Sequence, residues 1–132
     1  MIVGVCGLWF DHISYKLGGG VLCWMDVLVL GRIKETILGV AVEYGVVVDD
    51  IILFGSRARG DFREDSDWDV LVVTRDRVEE DVRWMFVREV TRRLARDRID
   101  VQIVVVDRLY FDKYSGVYGD IAGIASLEGF SI

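Results

Sequence analysis

The 132-residue chain has one histidine (His12), two cysteines (Cys6 and Cys23), no asparagine and a single glutamine, Gln102. Each scarcity excludes a chemistry. Cys6 and Cys23 lack CxxC spacing and have only His12 to join them, so a reduced cytosolic pair is expected rather than a zinc site. With no cysteine or histidine after Cys23, metal chemistry downstream must use oxygen ligands, which points to magnesium or manganese. No run of about 18 uninterrupted apolar residues occurs, so no membrane span is expected. The apolar run Val21–Leu30 is cut by Asp26. The N-terminus lacks the basic region of a signal peptide, and a cytoplasmic location is expected. The shortage of thermolabile amides points to a heat-loving source; the arginine preference, 13 of 16 basic residues, is a weaker guide.

At 52% hydrophobic and 29% charged, the composition is that of one folded globular domain. A net charge of -6 argues against a chain built to coat nucleic acid or an anionic membrane. Residues 1–24 have neither helical nor strand periodicity and include the breaker Gly18-Gly19-Gly20. They read as an extension of uncertain role, with the domain proper over residues 25–132. Leu30, Ile33, Ile37, Val40/Ala41 and Tyr44 predict a helix, with Asp26 as N-cap and Gly45 just past its end. A β-rich run at Val46–Phe54 follows, then a strand at Trp68–Val73. Val78, Val82, Met85/Phe86, Val90 and Leu94 predict a second helix over Arg77–Asp97. A third strand is expected over Ile99–Val106, then a looser stretch with Tyr110, Phe111, Tyr114 and Tyr118. A short helix near Asp120–Ser126 and a last strand at Gly129–Ile132 complete the order. This predicts an α/β (α+β) domain, a small mixed sheet flanked by helices.

The chemistry concentrates in LFGSRARGDFREDSDWDVLVV, Leu53–Val73. Gly55 lets the backbone turn sharply after a strand, and Ser56 sets a hydroxyl beside backbone N–H groups, an arrangement that suits phosphate. Asp67 and Asp69 share one face of the following strand, about 6.6 Å apart. Asp100 begins the third strand among apolar neighbours. If the strands are adjacent, three carboxylates converge, and each pair repels by roughly 2–3 kcal/mol at an effective dielectric near 20. Shielded from water, such acids need a cation, and magnesium takes carboxylate and phosphate oxygens together. Exposed, they are a solvated loop. Arg57 or Arg59 can pair with phosphate oxygens, and either can equally be a surface arginine.

Gly55-Ser56, ten intervening residues, Asp67-Trp68-Asp69-Val70 and Ile99-Asp100-Val101 resemble the signature of the DNA polymerase beta nucleotidyltransferase superfamily. The text around them resembles its minimal nucleotidyltransferases, and the closing Glu128-Gly129-Phe130-Ser131-Ile132 is similar to that family's last helix and strand. The resemblance covers Asp26 to Ile132. It implies a polymerase-beta-like fold and transfer of a nucleotide from ATP or another nucleoside triphosphate to a hydroxyl, releasing pyrophosphate. By it, Asp67 and Asp69 hold Mg2+, and Asp100 helps with a second Mg2+ and steers the proton of the attacking hydroxyl. Gly55 and Ser56 bind the β and γ phosphates.

Few residues remain after Asp100 to bind an acceptor, so the acceptor is expected to be a partner protein. The resemblance implies a helical HEPN toxin, with this chain as its adenylylating antitoxin. A binding-only antitoxin that masks its toxin is the rival from another class, and a small-molecule acceptor such as an aminoglycoside the rival within the enzyme class. Eight arginines lie between Arg75 and Arg98, interspersed with acids. They read as a solvated, internally paired face or a partner surface; nucleic acid is less supported, since aromatics are not interleaved with them. Nucleotide preference, acceptor atom and oligomeric state are left open.

Overall fold

A computed structural model describes residues 15–17, 20–22, 24–63 and 66–132; Cys6, His12 and Cys23 lie outside them. A hairpin pairs β1 (Tyr15–Leu17) with β2 (Gly20–Leu22). Next come α1 (Trp24–Tyr44), β3 (Val48–Phe54), α2 (Gly55–Arg59), β4 (Trp68–Thr74) and α3 (Glu80–Arg96). The chain continues through β5 (Val101–Asp107), α4 (Arg108–Tyr114), α5 (Ile121–Glu128) and β6 (Phe130–Ser131). The main sheet has the order β5-β4-β3-β6, with β4 and β5 parallel and the other pairs antiparallel. This is the mixed sheet with flanking helices expected.

The two faces of the sheet explain the apolar pattern. One face packs Leu53, Val70 and Val72 against Ile33 and Ile37 of α1 and Phe86, Val90 and Leu94 of α3, all at 1% exposure or less. The other packs Ile52, Phe54, Leu71 and Val73 against Phe111 of α4 and Ile121 and Ala125 of α5. A central strand covered on both sides must be apolar at every position, which accounts for the run Val70–Val73. Burying each such side chain is worth about 1.5–3 kcal/mol.

Element ends differ from expectation for local reasons. Helix α1 begins at Trp24, so Asp26 lies inside its first turn rather than capping it. Its other end is as expected: Gly45 takes φ +68°, and Val46 N–H donates to the Ala41 carbonyl at 2.8 Å, closing the last turn. Helix α3 starts at Glu80, because Glu79 holds extended backbone while its carbonyl accepts the Arg83 N–H. Strand β5 starts at Val101 because Ile99 N–H is spent on the Leu94 carbonyl, with Arg98 left-handed at φ +59°. The stretch after β5 is ordered as α4, which the Asp107 side chain caps at the Tyr110 N–H. The hairpin strand β2 lies beside α2 and α1, so the segment before residue 25 touches the domain.

Candidate active site

Three strands bring their chemistry to one end of the sheet. In the β3–β4 ladder Phe54 faces Asp69, so the next residue, Gly55, turns away directly against the Asp69 carboxylate. A Cβ built on Gly55 would stand 2.2 Å from Asp69 Oδ2. Gly55 also has φ +75°, a conformation that L side chains rarely adopt. Two independent constraints thus require glycine at this turn. Ser56 follows, half-buried, and its hydroxyl has no hydrogen-bond partner among the described residues.

Asp67 is exposed and Asp69 half-buried. Burial raises the Asp69 pKa above the ordinary carboxylate value, the charge of Asp67 adds to the rise, and Arg59 opposes it. Asp67 therefore stands near enough to Asp69 for the two charges to repel. Asp100 lies at the same end, since Trp68 pairs with Val101 and Trp68 N–H donates to the Asp100 carbonyl at 2.9 Å. Its side chain is exposed. Among the described residues no three acid, histidine or cysteine side chains are gathered as a ready-made metal site. Magnesium does not require one, since it commonly takes one or two carboxylates plus substrate phosphates. The oxygen donors Asp67 and Asp69 fit that ion.

The two arginines separate. Arg57 is buried between the rings of Phe62 and Trp68, its guanidinium carbon 4.4 Å from each centroid, and it donates twice to the Ser66 carbonyl, at 3.2 and 2.9 Å. It pins the loop that leads into β4. Arg59 instead is half-exposed and donates to Asp61 Oδ2 at 3.2 Å and to both oxygens of Glu128, at 3.0 and 3.1 Å.

Glu128 was not among the expected site residues. Strand β6 pairs Leu53 with Phe130, so continuing the register sets Glu128 opposite Gly55. Glu128 Oε1 accepts the Gly55 N–H at 3.0 Å, and its charge also raises the Asp69 pKa. Gly129 permits this approach: a Cβ there would meet the Leu53 carbonyl oxygen at 2.6 Å and Ile52 Cγ2 at 2.7 Å. The signal available in sequence was an acid beside a glycine just before the last strand, and it becomes informative only once that strand is known to pair with β3.

The aromatic stretch divides as well. The Tyr110 hydroxyl donates to Asp120 Oδ2 at 2.8 Å, and Asp120 caps α5 at Ala122, so Tyr110 ties α4 to α5. Tyr118 is 97% exposed. It borders a cleft of about 690 Å3 that Arg59, Leu127 and Glu128 also line. On the opposite surface, Arg93 bridges Glu43 of α1 and Glu89, and Arg92 also binds Glu89, so this part of the arginine-rich face is internally paired. No helix among the described residues is long and apolar enough to cross a membrane.

The family pattern described as "Nucleotidyltransferase domain" matches residues 33–118, which contain Gly55, Ser56, Asp67, Asp69 and Asp100. No protein with a curated description matches the chain. Among solved structures, a Sulfolobus solfataricus protein provisionally assigned as a nucleotidyltransferase is 28% identical, with a TM-score of 0.49 over 66% of this chain and 74% of that one. A toxin–antitoxin complex with AMP-PNP is 19% identical, with a TM-score of 0.44 over 74% and 69% of the two chains. A mutant form of the toxin–antitoxin pair MntA–HpeT is 17% identical, with a TM-score of 0.43 over the same shares, 74% and 69%. With the Gly55–Ser56 turn and the Asp67–Asp69 strand inside the matched span, the chain belongs to the nucleotidyltransferase domain family.

Proposed function

We propose that this chain transfers AMP from ATP to a hydroxyl group of a partner protein, as the antitoxin of a pair with a helical HEPN-type toxin. The observation that carries the catalytic part is the contact of Gly55 with the Asp69 carboxylate, with Asp67 beside it. It sets a pair of carboxylates next to a turn suited to phosphate. In this reading the Gly55 and Ser56 N–H groups and the Ser56 hydroxyl anchor the β and γ phosphates, and Arg59 neutralises them. Asp67 and Asp69, joined by Asp100, would hold Mg2+, which when bound supplies charge neutralisation on the triphosphate and on the attacking oxygen. The acceptor oxygen forms a bond to the α phosphorus while the bond to the bridging oxygen breaks. Pyrophosphate leaves, and the hydroxyl proton passes to the exposed carboxylate of Asp100.

A protein acceptor is favoured because α4, α5 and β6 are used in covering and extending the sheet, which leaves no separate acceptor-binding layer among the described residues. The test uses ATP labelled on the α phosphate, magnesium, and a helical HEPN-type protein sought in the adjacent reading frame. Label is expected to move onto that protein with equimolar pyrophosphate, and an Asp67→Asn, Asp69→Asn double variant is expected to abolish both. Full neutralisation of the partner by the double variant would assign a masking antitoxin instead. No pyrophosphate from any nucleoside triphosphate, with the partner present, would overturn the enzymatic reading.

A further inference from the structure

The Glu128 carboxylate sits on donors that the triphosphate is proposed to use. It takes the Gly55 N–H at 3.0 Å and the Arg59 guanidinium at 3.0 and 3.1 Å. Carboxylate and phosphate oxygens compete for the same kind of donor. We propose that Glu128 is a resident anion in the phosphate subsite, which an incoming triphosphate must expel; this rests on the nucleotide reading above.

Three features support displacement over a fixed structural role. Glu128 keeps 22% side-chain exposure, so its carboxylate borders solvent and can leave its donors without crossing the interior. The fold holds α5 and β6 in place by other means: Asp120 caps the helix, Ala122 and Ala125 are buried, and Phe130 and Ser131 pair with β3. The side chain also has somewhere to go, because the cleft it lines with Leu127 and Tyr118 is large enough for a ligand or a swung side chain. A resident anion filters ligands. A neutral nucleoside cannot replace its charge on Arg59, whereas a polyphosphate can.

The test is calorimetric titration of the intact chain at fixed ionic strength with magnesium–pyrophosphate and with magnesium–ATP. Glu128→Gln keeps an oxygen for the Gly55 N–H but removes the charge, and is expected to bind both ligands on the order of tenfold more tightly. A gain with pyrophosphate, which has no nucleoside, locates the effect at the phosphate end. Glu128→Asp keeps the charge but is one methylene short of spanning both donors, so a smaller gain is expected; it decides the matter if the glutamine variant does not fold. Affinities that stay within about twofold of the parent, or fall, overturn the resident-anion role while leaving nucleotide binding intact. Absence of binding of either ligand by parent and variants alike overturns the nucleotide reading and this inference with it.

Discussion

Two carboxylates on this molecule experience opposite surroundings. Glu89, on α3, sits between Arg92 and Arg93, whose hydrogen bonds hold its pKa down to about 2. Asp69, at the mouth of the sheet, is raised above its ordinary value by burial and by Asp67, with Arg59 as a partial counterweight shared with Glu128 and Asp61. Around Glu89 the arginine-rich face is internally paired: Arg93 reaches Glu43 and Arg32 reaches Asp97, so these charges tie α1 to α3. The mouth, with fewer charges, shifts its carboxylate the other way. An upward shift at a partly buried position, rather than charge density, distinguishes the site from the surface.

The largest effect that would break this contrast is at Asp69 itself. Asp69→Asn is expected to lower nucleotidyl transfer by about a thousandfold, as for loss of a group acting on developing charge. It is also expected to raise the melting temperature, because it removes a repelled carboxylate; a scanning-fluorimetry trace showing a lower midpoint would refute the strained-charge reading.

Gly55→Ala comes next. Its Cβ would meet Asp69 Oδ2 at 2.2 Å on a backbone at φ +75°, and urea unfolding is expected to show a loss of roughly 2–4 kcal/mol. Arg98 sharpens the point. It is also left-handed, at φ +59°, but with no side chain among the described residues pressed against it as Asp69 is against Gly55, so Arg98→Gly is expected to stabilise by about 1 kcal/mol in the same assay.

The smallest expected effects concern pH. Glu89 has a depressed folded pKa, so its contribution to stability is present above its ordinary value near 4.5 and is lost as pH falls toward about 2. Asp69 has the opposite sign: its raised pKa makes stability fall as pH rises past the ordinary value of 3.8 through its folded one. Melting curves from pH 2 to 7 are expected to lose the acid-side slope in Glu89→Gln, an effect that salt weakens, and to lose the opposite slope in Asp69→Asn.

The placement of Gly55 beside the two strand aspartates was legible because it is local. Gly55-Ser56 and Asp67-Trp68-Asp69 lie on consecutive strands joined by one loop, and period-2 alternation alone puts both aspartates on one face. The choice between Arg57 and Arg59 was not legible. Both lie on one short helix, and only packing shows that Phe62 and Trp68 enclose the first while the second meets Glu128. Asp26 misled as a cap because the helical backbone runs on to Trp24, ahead of the apolar stripe.

By itself the order of residues determined the hydrophobic pattern, hence two helices and a β4 strand buried on both faces, and it determined which groups carry oxygen donors. Tertiary structure decided how those groups meet. Glu128 reaches Gly55 only because β6 runs antiparallel beside β3, a pairing between residues more than seventy positions apart that no local periodicity encodes. Side-chain alternation is a property of one strand, whereas the balance of charge at the site is a property of three strands side by side.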